Sequence, residues 1–159
     1  MQKKITTFLT FDGRAEEAVE LYVSIFPDSK ITSTSRYGDA GPAPAGTFMS
    51  ATFELAGQEF MALNAPGPAF SFAPGISLFV DCETQEEVDE LWEKLSEGGE
   101  KGPCGWLTDK FGVSWQVIPR ALGELLGDPD REKANKAMQV MLQMSKIDVA
   151  GLRRAAEAA

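Results

Sequence analysis

The chain has 159 residues, 43% of them hydrophobic, and its 24 acidic and 15 basic residues give a formal net charge of −9. This length and apolar share suit one compact domain with a sizeable core, while the negative charge argues against nucleic acid or an anionic membrane as a partner. The chain contains no histidine, so any catalysis or metal binding must proceed without the commonest general base and metal ligand.

Neither a secretory signal nor a membrane span is predicted, because the N-terminus lacks a long apolar core and no apolar run approaches roughly 20 residues. We therefore expect a cytoplasmic protein. Cys82 and Cys104 show no Cys-x-x-Cys spacing, which favours reduced thiols that are packed or incidental.

The first half predicts one strand, one helix and three further strands. Alternating residues over 4–11 predict a strand with two distinct faces, and apolar residues at helical spacing over 15–26 predict a helix that Pro27 ends. Further strands are predicted at 30–37, 47–55 and 59–64, the last two joined by a hairpin at Ala56-Gly57. The stretch 38–46 is a predicted loop without phosphate-binding spacing, and the Pro-rich stretch 65–74 is a predicted connector.

The second half predicts the same order of elements. Alternation over 76–80 indicates a strand, and Thr84 with Glu87 forms a capping box at the start of a helix with Leu91 and Trp92 in its apolar stripe. A weak strand pair at 101–109 and a strand at 113–118 follow. Short amphipathic helices are predicted at 121–126, 131–144 and 147–158. The Met-rich face of this tail either binds a partner or packs on its own domain.

Two stretches indicate an internal duplication. ITTFLTFDGRAEEAVELY begins at Ile5 and ISLFVDCETQEEVDELW begins at Ile76, and each runs from a strand into a Glu-rich helix. Asp81 follows Asp12 by 69 residues, and the helical strings EEAVELY and EEVDELW are offset by 70. A nearly constant offset over a strand and a helix predicts a repeated β-α-β-β-β unit, with coincidence between two amphipathic helices as the alternative.

Three segments carry a family resemblance: ITTFLTFDGRAEEAVELYVSIFPDSKI, LTDKFGVSWQVIP and KANKAMQVMLQMSKIDVAGL. They resemble the vicinal oxygen chelate superfamily, the glyoxalase, bleomycin-resistance and extradiol-dioxygenase group, and within it the PhnB-like branch often labelled 3-demethylubiquinone-9 3-methyltransferase. The resemblance implies a single glyoxalase-like α+β domain in which two β-α-β-β-β modules, at 3–66 and 74–119, form a cupped mixed sheet followed by a helical tail at 120–159. Whether one chain or two protomers form the cup is left open.

The resemblance also implies where a metal would lie. The superfamily holds a divalent ion at equivalent points of the first and last strands of each module, which correspond here to Thr6, Asn64, Gly75 and Gln116. Neutral hydroxyl and amide oxygens bind transition metals poorly. We therefore expect no metal ligands and no cofactor.

Strand alternation predicts which residues line the cup. If Leu9, Met61, Leu78 and Trp115 face the helices, their neighbours face inward, including Phe60, Ala62 and Ile118. The predicted ligand-binding pocket comprises Thr6, Phe8, Thr10, Asn64, Ser77, Phe79, Ser114 and Gln116. A lining of mixed apolar, hydroxyl and amide groups is typical of a small-molecule pocket, with a plain second core as the alternative.

Glu54 is the candidate catalytic residue. It shares strand phase with Ser50 and Thr52, and a desolvated carboxylate there would act as a general base; alternatively it reaches solvent at the strand end. Arg36, Tyr37 and Asp109 are further polar candidates near the rim, with turn or surface roles as alternatives.

The sequence predicts a small-molecule-binding protein that lacks the usual metal site and forms a homodimer. The alternative is a metal-independent or divergent enzyme that acts on a small carbonyl or phosphonate-like substrate with Glu54 as the base. A methyltransferase is a third hypothesis, but the chain has neither the parallel-sheet alternation nor the Gly-rich turn that commonly bind the methyl donor.

Overall fold

A computed structural model describes residues 3–67 and 70–158. The chain divides into two compact units, Met1–Ser71 and Phe72–Ala159, and the helical tail belongs to the second. Each unit contains a four-stranded sheet. Two residues of the predicted connector at 65–74 lie outside the described residues. Within the described part of the chain, no helix has the length and apolar character needed to cross a membrane.

The first unit is a β-α-β-β-β module. Its elements are β1 (Thr7–Phe11), α1 (Ala15–Ile25), β2 (Lys30–Arg36), β3 (Phe48–Leu55) and β4 (Gln58–Asn64). The strands lie in the order β1-β4-β3-β2, with β1 parallel to β4 and the other pairs antiparallel. Ala56 and Gly57 both have positive φ, as a two-residue hairpin that matches the strand twist requires.

The second unit repeats this topology. It contains β5 (Leu78–Cys82), α2 (Gln85–Ser96), β6 (Glu100–Lys101), β7 (Trp106–Thr108) and β8 (Ser114–Pro119). The strand order β5-β8-β7-β6, again with a parallel first pair, is that of the first sheet. The two predicted β-α-β-β-β modules are therefore confirmed.

The first strands of the two modules align with an offset of 71 residues, since β1 spans Thr7–Phe11 and β5 spans Leu78–Cys82. This places Phe79 at the position of Phe8, and both side chains are half exposed or more, at 60% and 50%. The helices start at Ala15 and Gln85, an offset of 70, because the connection from strand to helix is one residue longer in the first module, where Gly13 has a φ of +88°.

Each helix packs an apolar stripe on one face of its own sheet. Ala18, Val19 and Tyr22 of α1 are fully buried, and α1 packs against β3 and β4. Helix α2 buries Val88 and Trp92 in the same way and packs against β8. Burying these apolar side chains stabilises the packing of each helix on its sheet.

The tail forms three helices: α3 (Arg120–Leu126), α4 (Arg131–Met141) and α5 (Val149–Glu157). Asp130 and Asp148 cap the N-termini of α4 and α5 with their side chains. A cluster built on Ile118, Leu122, Ile147 and Leu152 joins the tail to the end of β8, and Met141 and Met144 pack against it. Both of these methionines therefore pack on their own unit.

Candidate functional site

The register between β1 and β4 decides which face of β4 lies against α1. Leu9 pairs with Ala62 and Thr7 with Phe60, and paired residues project to the same side of a sheet. Phe60 and Ala62 are buried on the side that α1 covers. The prediction that these two residues face away from the helix is therefore wrong, and Met61, which pairs with Phe8, lies on the opposite face.

Asn64 is on the helix side of the sheet, because it pairs with the buried Phe11. Its Oδ1 accepts a hydrogen bond from the backbone N–H of Ala15 at 2.7 Å, and its carbonyl oxygen accepts one from the Tyr37 hydroxyl. Arg14, at the N-cap position of α1, makes no capping hydrogen bond of its own. Asn64 is thus a helix cap supplied by a distant strand, and its predicted place in the pocket lining is wrong.

The face of the first sheet away from α1 carries Phe8, Thr10 and Glu54, as alternation along β1 and β3 predicts. Thr6 lies beside this face, where its hydroxyl donates a hydrogen bond of 3.4 Å to Glu59. Glu59 pairs with Glu54 across β3 and β4. Glu54 is about one-third exposed at 32%, and its carboxylate lies 3.7 Å from the Lys30 ammonium group. Its role as a general base stays a prediction.

The face of the second sheet away from α2 brings together four predicted residues: Ser77, Phe79, Ser114 and Gln116. Gln116 pairs with Phe79 on one side and with Trp106 on the other, so an amide lies between two aromatic rings. The amide nitrogen of Gln116 donates a hydrogen bond to the Ser77 hydroxyl at 2.9 Å, which orients the amide. A ligand-binding role for these residues stays a prediction.

Phe79, Gln116 and Trp106 form a row across β5, β8 and β7. Beside this row, the second unit has a depression of about 380 Å³. It is lined by Pro74, Glu100, Lys101, Gly102, Pro103, Cys104, Trp106, Leu107, Thr108 and Ser114. Of these, only Ser114 was predicted as a pocket residue. If the strand at 106–108 is paired with 114–116, Trp106 and Thr108 lie on the same face as Gln116 and Ser114. The sequence contains no strong signal for so short a strand, so this pairing could not be predicted.

Asp109 lies beneath the turn that joins β7 to β8. It is 3% exposed, and its carboxylate accepts hydrogen bonds from the backbone N–H groups of Phe111 and Val113 and from the Trp115 indole N–H at 2.8–3.0 Å. It therefore stabilises the turn, which was the alternative role predicted for it. Arg36, the other charged rim candidate, forms a 2.8 Å ion pair with Glu16 on the surface.

The two cysteines have different surroundings. Cys82 is fully buried, and burial, helped by the nearby carboxylates of Glu87 and Asp81, raises the pKa of its thiol to about 12. A thiol with so high a pKa is a poor nucleophile near neutral pH. Cys104 is partly exposed and lines the depression, where its thiol contacts the Met141 carbonyl oxygen at 3.6 Å.

The residues implied as metal ligands do not fit a transition-metal site. Asn64 lies on the helix side of its sheet and Gln116 on the face away from its helix, so the two are not equivalent. The structural equivalent of Thr6 is Ser77 rather than Gly75, by the offset of 71 between β1 and β5. Among the described residues, no group of three or more His, Cys, Asp or Glu side chains is arranged to hold an ion. No chemical step is therefore assigned to a metal.

Comparison with known proteins assigns this architecture. A family model described as 3-demethylubiquinone-9 3-methyltransferase matches residues 3–118. A solved structure from Bacillus cereus, described as a putative 3-demethylubiquinone-9 3-methyltransferase, PhnB protein, is 46% identical, with a TM-score of 0.67; the match covers 74% of this chain and 99% of that chain. The chain belongs to this PhnB-like family.

Other structures extend the likeness. Protein PA1353 from Pseudomonas aeruginosa is 26% identical, with a TM-score of 0.61, over 74% of this chain and 98% of that one. The fosfomycin resistance protein FosX from Listeria monocytogenes is 15% identical, with a TM-score of 0.51, over 75% and 93%, and shows the fold alone. A search of curated proteins finds no match. The family match ends before α3, so it does not include the predicted resemblance of residues 133–152.

Proposed function

We propose that this PhnB-like protein binds a small organic molecule on the face of the second sheet away from α2. The observation that carries the proposal is the row of Phe79, Gln116 and Trp106 across β5, β8 and β7. Phe79 is 60% exposed, although a large aromatic side chain in a strand is usually covered. Exposed aromatic groups beside a few oriented polar groups are typical of a ligand site.

The orientation of Gln116 supports this function. The amide nitrogen of Gln116 is engaged by Ser77, and no described residue donates a hydrogen bond to its amide oxygen. That oxygen can therefore accept a hydrogen bond from a ligand between the two rings. In a plain second core, a buried amide oxygen without a partner would cost free energy. We therefore favour a site that a ligand completes.

The experiment is a thermal-shift screen of neutral and charged ring compounds against the full chain. We expect a subset to raise the melting temperature, since a ligand that binds only the folded state stabilises it. The stabilisation should be lost in Gln116→Leu and Phe79→Ala and kept in Asn64→Ala, which changes a residue on the other side of the first sheet. Equal loss in all three variants, or no stabilising compound at all, would contradict the proposal.

We do not extend the methyl-transfer activity in the family's description to this chain. Each sheet in the described part of the chain has one parallel strand pair, whereas the doubly wound folds that commonly bind nucleotide-like cofactors have parallel sheets with a Gly-rich first turn. We expect no heat of binding when S-adenosylmethionine is titrated into the protein in a calorimeter. Saturable binding at micromolar concentration would restore the methyltransferase hypothesis.

A further inference from the structure

The depression over β7 has the size and lining of a site for a compact ring system. Its volume of about 380 Å³ is near the small end of the range for ligand pockets. Trp106 and Pro74 supply an aromatic ring and aliphatic surface, and Thr108 and Ser114 supply hydroxyl groups.

Ser114 is the observation that points to a ligand. The residue is 3% exposed, yet within the described part of the chain its hydroxyl makes no hydrogen bond. No fully buried polar atom of the described residues lacks a partner, so the Ser114 oxygen must open onto the depression that it lines. Buried hydroxyls in folded proteins are normally hydrogen-bonded. A ligand group in the depression would supply the missing partner.

Two neighbouring residues also carry a polar group without a side-chain hydrogen bond to the described residues. Thr108 pairs with Ser114 across β7 and β8, and its hydroxyl makes no side-chain hydrogen bond to any described residue. The same holds for the indole N–H of Trp106. Three hydrogen-bonding groups that have no side-chain partner among the described residues thus line one depression, where a single ligand can reach all of them.

The loop at 102–105, which lines the depression, is held in place by the chain segment between α4 and α5. The backbone N–H of Cys104 donates to the Met144 carbonyl at 2.9 Å, and that of Gly105 donates to the Ser145 carbonyl at 2.8 Å. The Ser145 hydroxyl donates to the Gly102 carbonyl at 2.6 Å. Because these bonds fix the loop in advance, a ligand does not have to order it.

The charges at the depression select against anions. Lys101 and Glu100 both line it, but the Lys101 ammonium group is engaged by Glu93 at 3.1 Å. Glu100 forms no ion pair with any described residue. The charged side chains at this rim are thus two carboxylates, Glu93 and Glu100, and one ammonium group, on a chain of net charge −9, so we expect the rim to favour cations over anions.

We propose that this depression binds a flat aromatic amine or a neutral N–H heterocycle, whose ring lies against Trp106 and whose polar groups hydrogen-bond Ser114 and Thr108. This inference rests on the proposed function and adds the chemical class and place of the ligand. It also assigns Ser145 as a positioning residue, which acts through the loop at 102–105.

The test uses the full chain labelled with 5-fluorotryptophan. Its three tryptophans give three fluorine resonances, and Trp106→Phe assigns one of them. The probes share a ring and differ in charge: tryptamine is a cation, indole is neutral and indole-3-acetate is an anion. We expect saturable movement of the Trp106 resonance alone, tightest with tryptamine and weakest with indole-3-acetate.

Matched variants separate binding from folding. Ser114→Ala and Thr108→Val should each raise the dissociation constant for tryptamine by about tenfold, the effect of losing one good hydrogen bond. Thr52→Val makes the same change on the first sheet and should have no effect. Ser145→Ala should weaken the binding of all three probes by a common factor, because it loosens the loop at 102–105 without changing the groups that touch the ligand.

The outcomes also distinguish the two proposals. No saturable shift at millimolar concentration, or tightest binding of the anion, would overturn this inference. A compound that binds in a Gln116-dependent way and moves the Trp106 resonance, but whose affinity is unchanged in Ser114→Ala and Thr108→Val, would overturn it and leave the proposed function standing. If neither experiment detects binding, both proposals fail.

Discussion

The Asn64 side chain accepts a hydrogen bond of 2.7 Å from the backbone N–H of Ala15, so the last residue of β4 caps the first turn of α1. An unpaired N–H at a helix start is costly where water cannot reach it. This contact joins the strand end to the helix that covers the sheet, and it gives a residue expected to bind ligand a structural role.

We expect Asn64→Ala to lower the free energy of unfolding by about 1 kcal/mol, the usual cost of a lost side-chain cap. Urea denaturation followed by circular dichroism measures the change. Asn64→Asp keeps the acceptor oxygen and should recover most of the loss, while tryptamine binding should be the same in all three proteins. An Asn64→Ala protein of unchanged stability would show that water replaces the cap.

Gly105 should tolerate no side chain. Its φ is +82°, and a Cβ there would lie 2.7 Å from Ile118 Cδ1 and 2.9 Å from the Val117 carbonyl oxygen. Gly105→Ala combines backbone strain with overpacking, so we expect a loss of about 2–4 kcal/mol. Gly13→Ala is the matched control, because Gly13 has a similar φ of +88° with nothing within 4 Å of the added Cβ, and should lose only about 1–2 kcal/mol. Differential scanning calorimetry measures both losses of stability. Equal losses in Gly105→Ala and Gly13→Ala would show that the close contacts at Gly105 add nothing to the backbone strain.

Asp109 should be one of the more sensitive polar positions. Its removal in Asp109→Ala leaves two backbone N–H groups and the Trp115 indole N–H without their acceptor. We expect a loss of roughly 2–4 kcal/mol, since each unsatisfied buried donor costs free energy. Guanidinium denaturation measured by tryptophan fluorescence reports it. Asp12→Ala, at an exposed carboxylate, should change stability little; a comparable loss there would contradict the buried-network explanation.

Cys82 should make the free energy of unfolding fall as the pH becomes alkaline. Its folded-state pKa of about 12 lies above the ordinary value of 9.0, so between these values the unfolded chain releases a proton that the folded chain keeps. The contribution of the protonated Cys82 thiol to the free energy of unfolding is therefore fully present below pH 9 and is lost as the pH rises towards 12. Denaturation midpoints between pH 8 and 11 should fall less steeply in Cys82→Ala.

The same pKa predicts thiol reactivity. At pH 8 nearly all of the Cys82 thiol is protonated, because burial raises its pKa, and the side chain is fully buried. We expect a thiol-reactive disulfide reagent to modify one cysteine in the native chain and both in denaturant. Cys104→Ser should abolish the native reaction, and a second reactive thiol in that variant would show that Cys82 is accessible.

Glu54→Gln should change stability by less than about 0.5 kcal/mol, because an exposed ion pair contributes little; the Lys30 and Glu54 side chains are 68% and 32% exposed. We also expect tryptamine affinity to be unchanged, since Glu54 belongs to the first sheet. Should the protein turn over a small carbonyl compound, loss of that activity in Glu54→Gln with normal folding would favour the enzymatic alternative.

Local patterns determined the elements and their duplication. The alternation over β1 and the paired strings EEAVELY and EEVDELW show which side chains of one element are buried. The capping box at Thr84 satisfies backbone N–H groups within the same helix turn. Both kinds of signal depend on residues only a few positions apart. They were sufficient to predict two β-α-β-β-β modules and the short helices of the tail.

The candidate site depended on tertiary contacts. Phe60, Met61, Ala62 and Leu63 are all apolar, so alternation cannot tell which side of β4 meets the helix, and only its pairing with β1 and packing against α1 choose one. The depression beside Trp106 likewise needs a loop that Ser145 holds from 43 residues further along the chain. Sequence periodicity reports burial along one element, whereas a site is made where several elements meet, and the free energy that selects those meetings comes from contacts distant in sequence.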